Sequence, residues 1–268
     1  MRLPADYHSH TCLCRHATGK PTEYAAAARR VGLQEIGFTD HAPMPEDDFD
    51  DWRMPSKELD LYVAWVQEAR QDHPDLNIRL GLEVDYLPGL EPWIQDLTRR
   101  HPWDYLIGSV HYLFPGWAVD DPRQIREWEK RDPVQVWQLY VERLTAAAKS
   151  GLFDVIGHVD LPKKFGFRPP DDVVAFYRPF LLAARKAGVA IELNTAGLRK
   201  ECREIYPGRA LLEAAHREGI PITFSSDAHA PEEMGAGFQE AVALARSVGY
   251  DSWRRLQDRT GESAPLGG

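Results

Sequence analysis

The stretch Tyr105-Leu106-Ile107-Gly108-Ser109-Val110-His111 decides how the rest of the chain reads. It is an apolar run of strand length that ends on an imidazole. Runs of the same kind fall at residues 5–7, 35–39, 78–84, 105–110, 153–157, 189–193 and 222–225, most with the length of a buried parallel strand. Helical patterns separate them. Thr22 is positioned to cap a helix through the Ala-rich residues 25–28 that stops at Gly32. Ser56 is positioned to cap another, with the apolar stripe Leu59, Tyr62, Val63, Val66 and Ala69. Asp132-Pro133 reads as a cap and first turn, and further helices fit 172–186 (with a kink at Pro179), 209–217 and 231–248. Strand–helix alternation of this kind predicts an α/β fold on a parallel sheet, either doubly wound or closed into a barrel. No linker divides the 268 residues. A single domain over 1–268 is expected, with insertions at 46–51 and 114–131 and a loosely ordered tail at 255–268.

Ligand-type side chains recur in step with these runs. His8 and His10 end the first, two apart and hence on one side of an extended segment; His16 follows in the next loop. His41 ends the second run, Glu83 the third, His111 the fourth, His158 the fifth, Asn194 the sixth and Asp227-Ala228-His229 the seventh. The mean interval of about 36 residues suits one strand–helix unit. The carboxyl ends of parallel strands are where α/β active sites are built. His73, His101 and His216 fall at or near helix ends and read as structural or solvated. Imidazole with carboxylate suits Zn, Fe or Mn, and one carboxylate can bridge two ions. Such a cluster makes hydroxide near neutral pH and neutralises charge on a phosphoryl group, so a hydrolytic centre is expected.

Composition narrows the partners. The chain carries 41 Asp+Glu against 32 Lys+Arg, a net charge of −9, with no basic stripe, which counts against nucleic acid. With 43% apolar and 27% charged residues it is globular rather than disordered. Three cysteines do not make a disulfide framework, and no apolar signal segment or membrane-length run is present. A cytoplasmic protein without a membrane partner is expected, its oligomeric state left open.

The segments His8-Ser9-His10, Cys14-Arg15-His16-Ala17, Phe38-Thr39-Asp40-His41, Gly81-Leu82-Glu83-Val84-Asp85-Tyr86, Gly108-Ser109-Val110-His111, Gly157-His158-Val159-Asp160 and Ser226-Asp227-Ala228-His229 resemble the motifs of the polymerase-and-histidinol-phosphatase (PHP) superfamily. Within it the chain is most similar to the monofunctional histidinol-phosphate phosphatases, on residues 14–19, 160–166 and 192–200. The resemblance implies a distorted (β/α)7 barrel, TIM-barrel-like, that holds three divalent ions (Zn, Fe or Mn). His8, His10, Glu83 and Asp227 would hold the first; Glu83, His111 and His158 the second; His16, His41 and His229 the third. It further implies hydrolysis of L-histidinol phosphate, a step of histidine biosynthesis, by attack of a metal-bridging hydroxide. Cys12 and Cys14 then read as packing thiols rather than nucleophiles.

The guanidinium fork of Arg199 suits phosphate oxygens, and Lys163 and Lys164 are the next candidate substrate-binding cations, or a solvated loop. Asp160, two residues after His158, is a candidate proton donor or imidazole-orienting group, or a turn aspartate. The acidic residues 46–51 could receive the substrate's ammonium or imidazole, and Trp117 could fold over the site. Two alternatives stand beside this reading. One is a PHP phosphoesterase acting on nucleotides or nucleic-acid ends; the other is a non-catalytic PHP binding module, which would lack ligands.

Overall fold

The computed structural model describes residues 3–114, 116–169 and 171–267. The strands are β1 (Glu35–Phe38), β2 (Asn77–Asp85), β3 (Tyr105–Ser109), β4 (Tyr112–Phe114), β5 (Trp117–Ala118), β6 (Val155–Ile156), β7 (Ala190–Asn194), β8 (Ile222–Ser225), β9 (Ser252–Gln257) and β10 (Thr260–Pro265). The α-helices are α1 (Pro21–Arg30), α2 (Leu59–Asp72), α3 (Glu91–Arg100), α4 (Arg126–Glu129), α5 (Pro133–Ser150), α6 (Val173–Ala187), α7 (Arg209–Arg217) and α8 (Phe238–Val248).

Six strands form one parallel sheet in the order β1-β2-β3-β6-β7-β8. The expected first strand is shorter than a strand. Residues 5–10 make only isolated bridges, Asp6 to Ile36 and Ser9 to Ala228. That segment nonetheless lies between the sheet's two edges. Gly37 N–H donates to the Asp6 carbonyl at 2.7 Å on one side, and Tyr7 N–H to the Phe224 carbonyl at 3.0 Å on the other. The curled sheet is thereby closed into a distorted seven-membered barrel, since an unpaired edge would leave backbone groups unsatisfied.

Alternation along the strands sorts side chains into two layers. Leu80, Leu82, Leu106, Ile191 and Leu193 pack outward against the helices, whereas Tyr105, Ile107 and Ala190 point into the barrel with Tyr7. Helix ends follow local chemistry. The Asp132 carboxylate accepts from Val134 N–H and Gly151 ends α5 in the left-handed region. Asp172 caps α6, and Pro179 sits inside it. α1 begins one residue before Thr22, because Pro21 occupies the first turn and Glu23 accepts the Lys20 N–H at 2.7 Å. α3, which the sequence reading leaves out, carries Pro92 in its first turn and buries Ile94 and Leu97. The helix expected over 231–248 is broken, with Gly235 and Gly237 at positive φ before α8 starts. This turn is held down by Asp6, whose Oδ2 accepts Gly235 N–H at 2.9 Å.

The tail expectation is corrected. β9 and β10 form a hairpin turned by Asp258 and Arg259, both at positive φ. That is the geometry of a two-residue type I′ loop, here without the usual Asn-Gly pair, so the sequence concealed it. Leu256 is buried beneath the barrel against Tyr7, Tyr105, Ile107 and Val155. Arg255 pairs with Glu35 and Arg259 with Asp154. The hairpin plugs the amino end of the barrel and leaves the carboxyl end to the site.

Candidate metal centre and cavity

At the carboxyl ends of the strands the structure brings Glu83 to the middle of a ring of imidazoles. Its Oε2 lies 3.3 Å from His8 Nε2, 3.8 Å from His10 Nε2 and 2.8 Å from His41 Nδ1. Asp227 Oδ1 lies 3.2 Å from His10 Nε2 and 3.9 Å from His8 Nε2. Donors on a tetrahedral ion with ligand bonds of about 2.1 Å stand about 3.4 Å apart, so His8, His10, Glu83 and Asp227 have the spacing of one coordination shell. Glu83 Oε1 faces the other way, 3.0 Å from His158 Nε2 and 3.6 Å from His111 Nε2. The remaining histidines converge less symmetrically. His41 groups with His10 and His229, and His16 joins through His229, Nε2 to Nε2 at 2.9 Å.

The fit to cations rests on what these atoms lack. Glu83 Oε2, His8 Nε2 and His41 Nδ1 are buried, close together and without a hydrogen-bond partner. Burying such groups unpaired is costly, and a cation at their centre removes the cost. Burial opposes charge on Glu83, yet His8, His41 and His111 hold its carboxyl well below the usual range. Asp227 is likewise depressed, by His8, His10 and His229 against burial. Burial, reinforced by neighbouring imidazoles, holds His41 and His229 well below the ordinary histidine value, while at His8, His10 and His111 adjacent carboxylates outweigh burial and raise it.

Surrounding carboxylates orient the ring nitrogens. Glu192 Oε1 meets His8 Nδ1 at 2.5 Å, and its Oε2 accepts His158 N–H at 2.8 Å. Asp85 Oδ1 meets His111 Nδ1 at 2.9 Å and is itself held through Oδ2 by the buried Arg53 at 2.9 Å. Ser109 donates to Glu83 Oε1 at 2.6 Å. A Cβ at Gly157 would stand 2.5 Å from that hydroxyl, so glycine there keeps the Ser109–Glu83 contact intact. Asp227 has a φ of 52°, an unusual conformation for a non-glycine and one that concentrates at functional sites. Sequence reasoning did not assign Glu192 or Asp85 a role. The available signal was period two, since Asp85 follows Glu83 and Glu192 precedes Asn194 on the same strand face.

A cavity of about 530 Å³ opens above the cluster, bounded by Glu83, His111, His158 and Asp227 at its floor. Of the proposed substrate-binding cations, Lys164 reaches it, paired with Asp120 at 2.9 Å. Lys163 does not. It is buried, with Nζ donating to the Ile205 carbonyl and paired with Asp160, each at 2.8 Å. Asp160 is corrected with it. The chain turns into a 3-10 helix (Leu161–Phe165) after His158, so the two-residue same-side rule no longer applies and Asp160 accepts Gly208 N–H instead. Arg199, at the end of another 3-10 helix, donates to the Ser226 carbonyl and pairs with Glu233 at 3.2 Å, outside the cavity lining. Its neighbour Lys200 lines the cavity instead. Trp117 is buried under Arg131 and Trp128; Trp52 takes the place expected of it, its ring 4.6 Å from His41 and 5.4 Å from His111. Within residues 46–51, Asp50 is used by Arg53 and Tyr112, while Asp51 lines the cavity. Burial raises the thiols of Cys12 and Cys14 and keeps them protonated, unsuited to attack. No helix among the described residues is long and apolar enough to cross a membrane.

The chain resembles known proteins along most of its length. Residues 6–196 match the PHP domain and residues 209–243 the PHP-associated region. A Deinococcus radiodurans protein named as a probable histidinol-phosphatase is 46% identical over 245 residues, covering 91% of this chain and 93% of its own. The histidinol-phosphatase of Bacillus subtilis is 28% identical, covering 87% and 96%. The Lactococcus lactis histidinol phosphate phosphatase, solved with Zn, L-histidinol and phosphate, superposes with a TM-score of 0.79 at 21% identity over 97% of this chain and 98% of that one. In sequence over residues 6–196 and in fold, the chain belongs to the PHP domain family.

Proposed function

We propose that the protein is a metal-dependent phosphomonoesterase that hydrolyses L-histidinol phosphate to L-histidinol and phosphate. The observation that carries this reading is the 46% identity, over 91% of the chain, to the probable histidinol-phosphatase of D. radiodurans. The cluster around Glu83 supports the chemistry. Three divalent ions suit the donors: one on His8, His10, Glu83 and Asp227, a second on Glu83, His111 and His158, a third on His16, His41 and His229. Imidazole and carboxylate donors suit Zn, Fe or Mn. Divalent ions bound there supply a water-derived nucleophile near neutral pH and offset charge on the phosphoryl group.

The chain's own side chains do the rest. Glu192 and Asp85 fix which nitrogen of His8 and His111 faces the centre. Lys164 and Lys200 bring positive charge to the cavity wall where phosphate oxygens would rest. Trp52 covers His41 and His111 and limits water at that side. With a net charge of −9, the protein is assigned a small-molecule substrate rather than nucleic acid. The test is phosphate release from L-histidinol phosphate, a nucleoside monophosphate and p-nitrophenyl phosphate after reconstitution with Zn, Mn or Fe. A kcat/KM for L-histidinol phosphate at least tenfold above the others is expected; comparable values would remove the assignment.

A further inference from the structure

Three carboxylates outside the metal cluster line the cavity: Asp51, Asp120 and Asp121. In two of them both oxygens are engaged by one guanidinium. Both oxygens of Asp51 accept from Arg123, at 2.7 and 2.9 Å, and both oxygens of Asp121 accept from Nε of the same guanidinium at 3.1 Å. Asp120 differs from them. Its Oδ2 accepts from Lys164 at 2.9 Å, and Lys164 also donates to the Asp120 carbonyl at 2.7 Å. Its Oδ1 has no hydrogen-bond partner among the described residues, and the side chain is 22% exposed, toward the cavity. The neighbouring Val119 N–H donates to the His111 carbonyl at 2.9 Å, which pins this segment beside the metal cluster. Burial opposes charge on Asp120, but Lys164 and the His111 imidazole outweigh it and bring its carboxyl down to about 2.

An ionised carboxylate with one uncommitted oxygen, beside a lysine and above a phosphate-seeking floor, matches a substrate with opposite charges a few bonds apart. We propose that Asp120 accepts a hydrogen bond from the substrate's ammonium through Oδ1 and thereby selects amine-bearing phosphomonoesters. Lys164 holds the Asp120 side chain in register and contributes its charge to the phosphate side. The inference rests on the histidinol-phosphate reading above.

The test compares L-histidinol phosphate with its deamino analogue, imidazolylpropyl phosphate, in the metal-loaded wild type and in Asp120→Asn. The wild type should prefer the amine-bearing ester, and the variant should lose roughly 30-fold of that preference, chiefly through KM, as expected for a charged hydrogen bond. Activity on the deamino analogue should fall far less, only by what a loosened Lys164 costs both esters, with metal content unchanged. Asp120→Asn keeps the backbone carbonyl that binds Lys164, and Asp120→Ser, which removes the amide as well, should behave alike. An equal loss on both esters, or a loss of metal, would make Asp120 structural and overturn the proposal. So would an unchanged preference in both variants. A wild type inactive on L-histidinol phosphate would remove the function reading instead. In that case the same variants on another aminoalkyl phosphate and its amine-free counterpart decide the role of Asp120.

Discussion

Glu83 shows how much one residue concentrates here: Oε2 faces His8, His10 and His41, Oε1 faces His111 and His158, and Ser109 fixes the carboxylate from behind. The carboxylates one layer out can be probed without touching a ligand. Glu192→Gln keeps the shape but weakens the hold on His8 Nδ1 and on the His158 N–H. Metal affinity is expected to fall 10–100-fold. Competition with a chelator measures this, and an unchanged affinity would mean that Glu192 serves only packing. The imidazoles were legible in the sequence because their spacing follows the fold. Their partners were not, because a buried aspartate or glutamate is recognised only by what it touches.

At the scale of elements, the parallel strands were readable from apolar runs and most helices from their stripes, with Asp132 a true cap, whereas neither Thr22 nor Ser56 caps its helix. Failures came where the chain departs from regular geometry. The 3-10 helices at Leu161–Phe165 and Thr195–Arg199 rotated Asp160, Lys163 and Arg199 away from the cavity and brought Lys164 and Lys200 to it. The β9–β10 hairpin escaped because its turn has no glycine and the one buried residue of β9, Leu256, packs against residues distant in sequence. It has a measurable consequence. Leu256→Ala should cost about 3 kcal/mol and lower the Tm, with metal content and kcat preserved. A frayed tail would tolerate the change without effect.

The whole molecule is a barrel with a plugged amino end and an acidic, histidine-lined carboxyl end. Asp85, Glu192 and Asp120 are each held below the ordinary carboxylate value: burial opposes, but His111 and Arg53, His8, and Lys164 respectively outweigh it. A depressed folded value contributes stability above the unfolded value of about 4, and that contribution is lost as pH falls through the folded one. As these three carboxylates protonate, the Tm is therefore expected to drop steeply below about pH 4. Chelation should lower the Tm at neutral pH as well, because ions that bind only the folded cluster stabilise it by mass action.

The sequence by itself determined the parallel α/β architecture and the residues that gather at its carboxyl end, because both are periodic: apolar runs repeat with each strand–helix unit, and so do the histidines that end them. Tertiary structure alone decided which cations face the cavity, which carboxylates orient the imidazoles and that the tail seals the barrel. Those depend on rotation about short irregular segments and on contacts between residues as far apart as Tyr7 and Leu256, which carry no local signal.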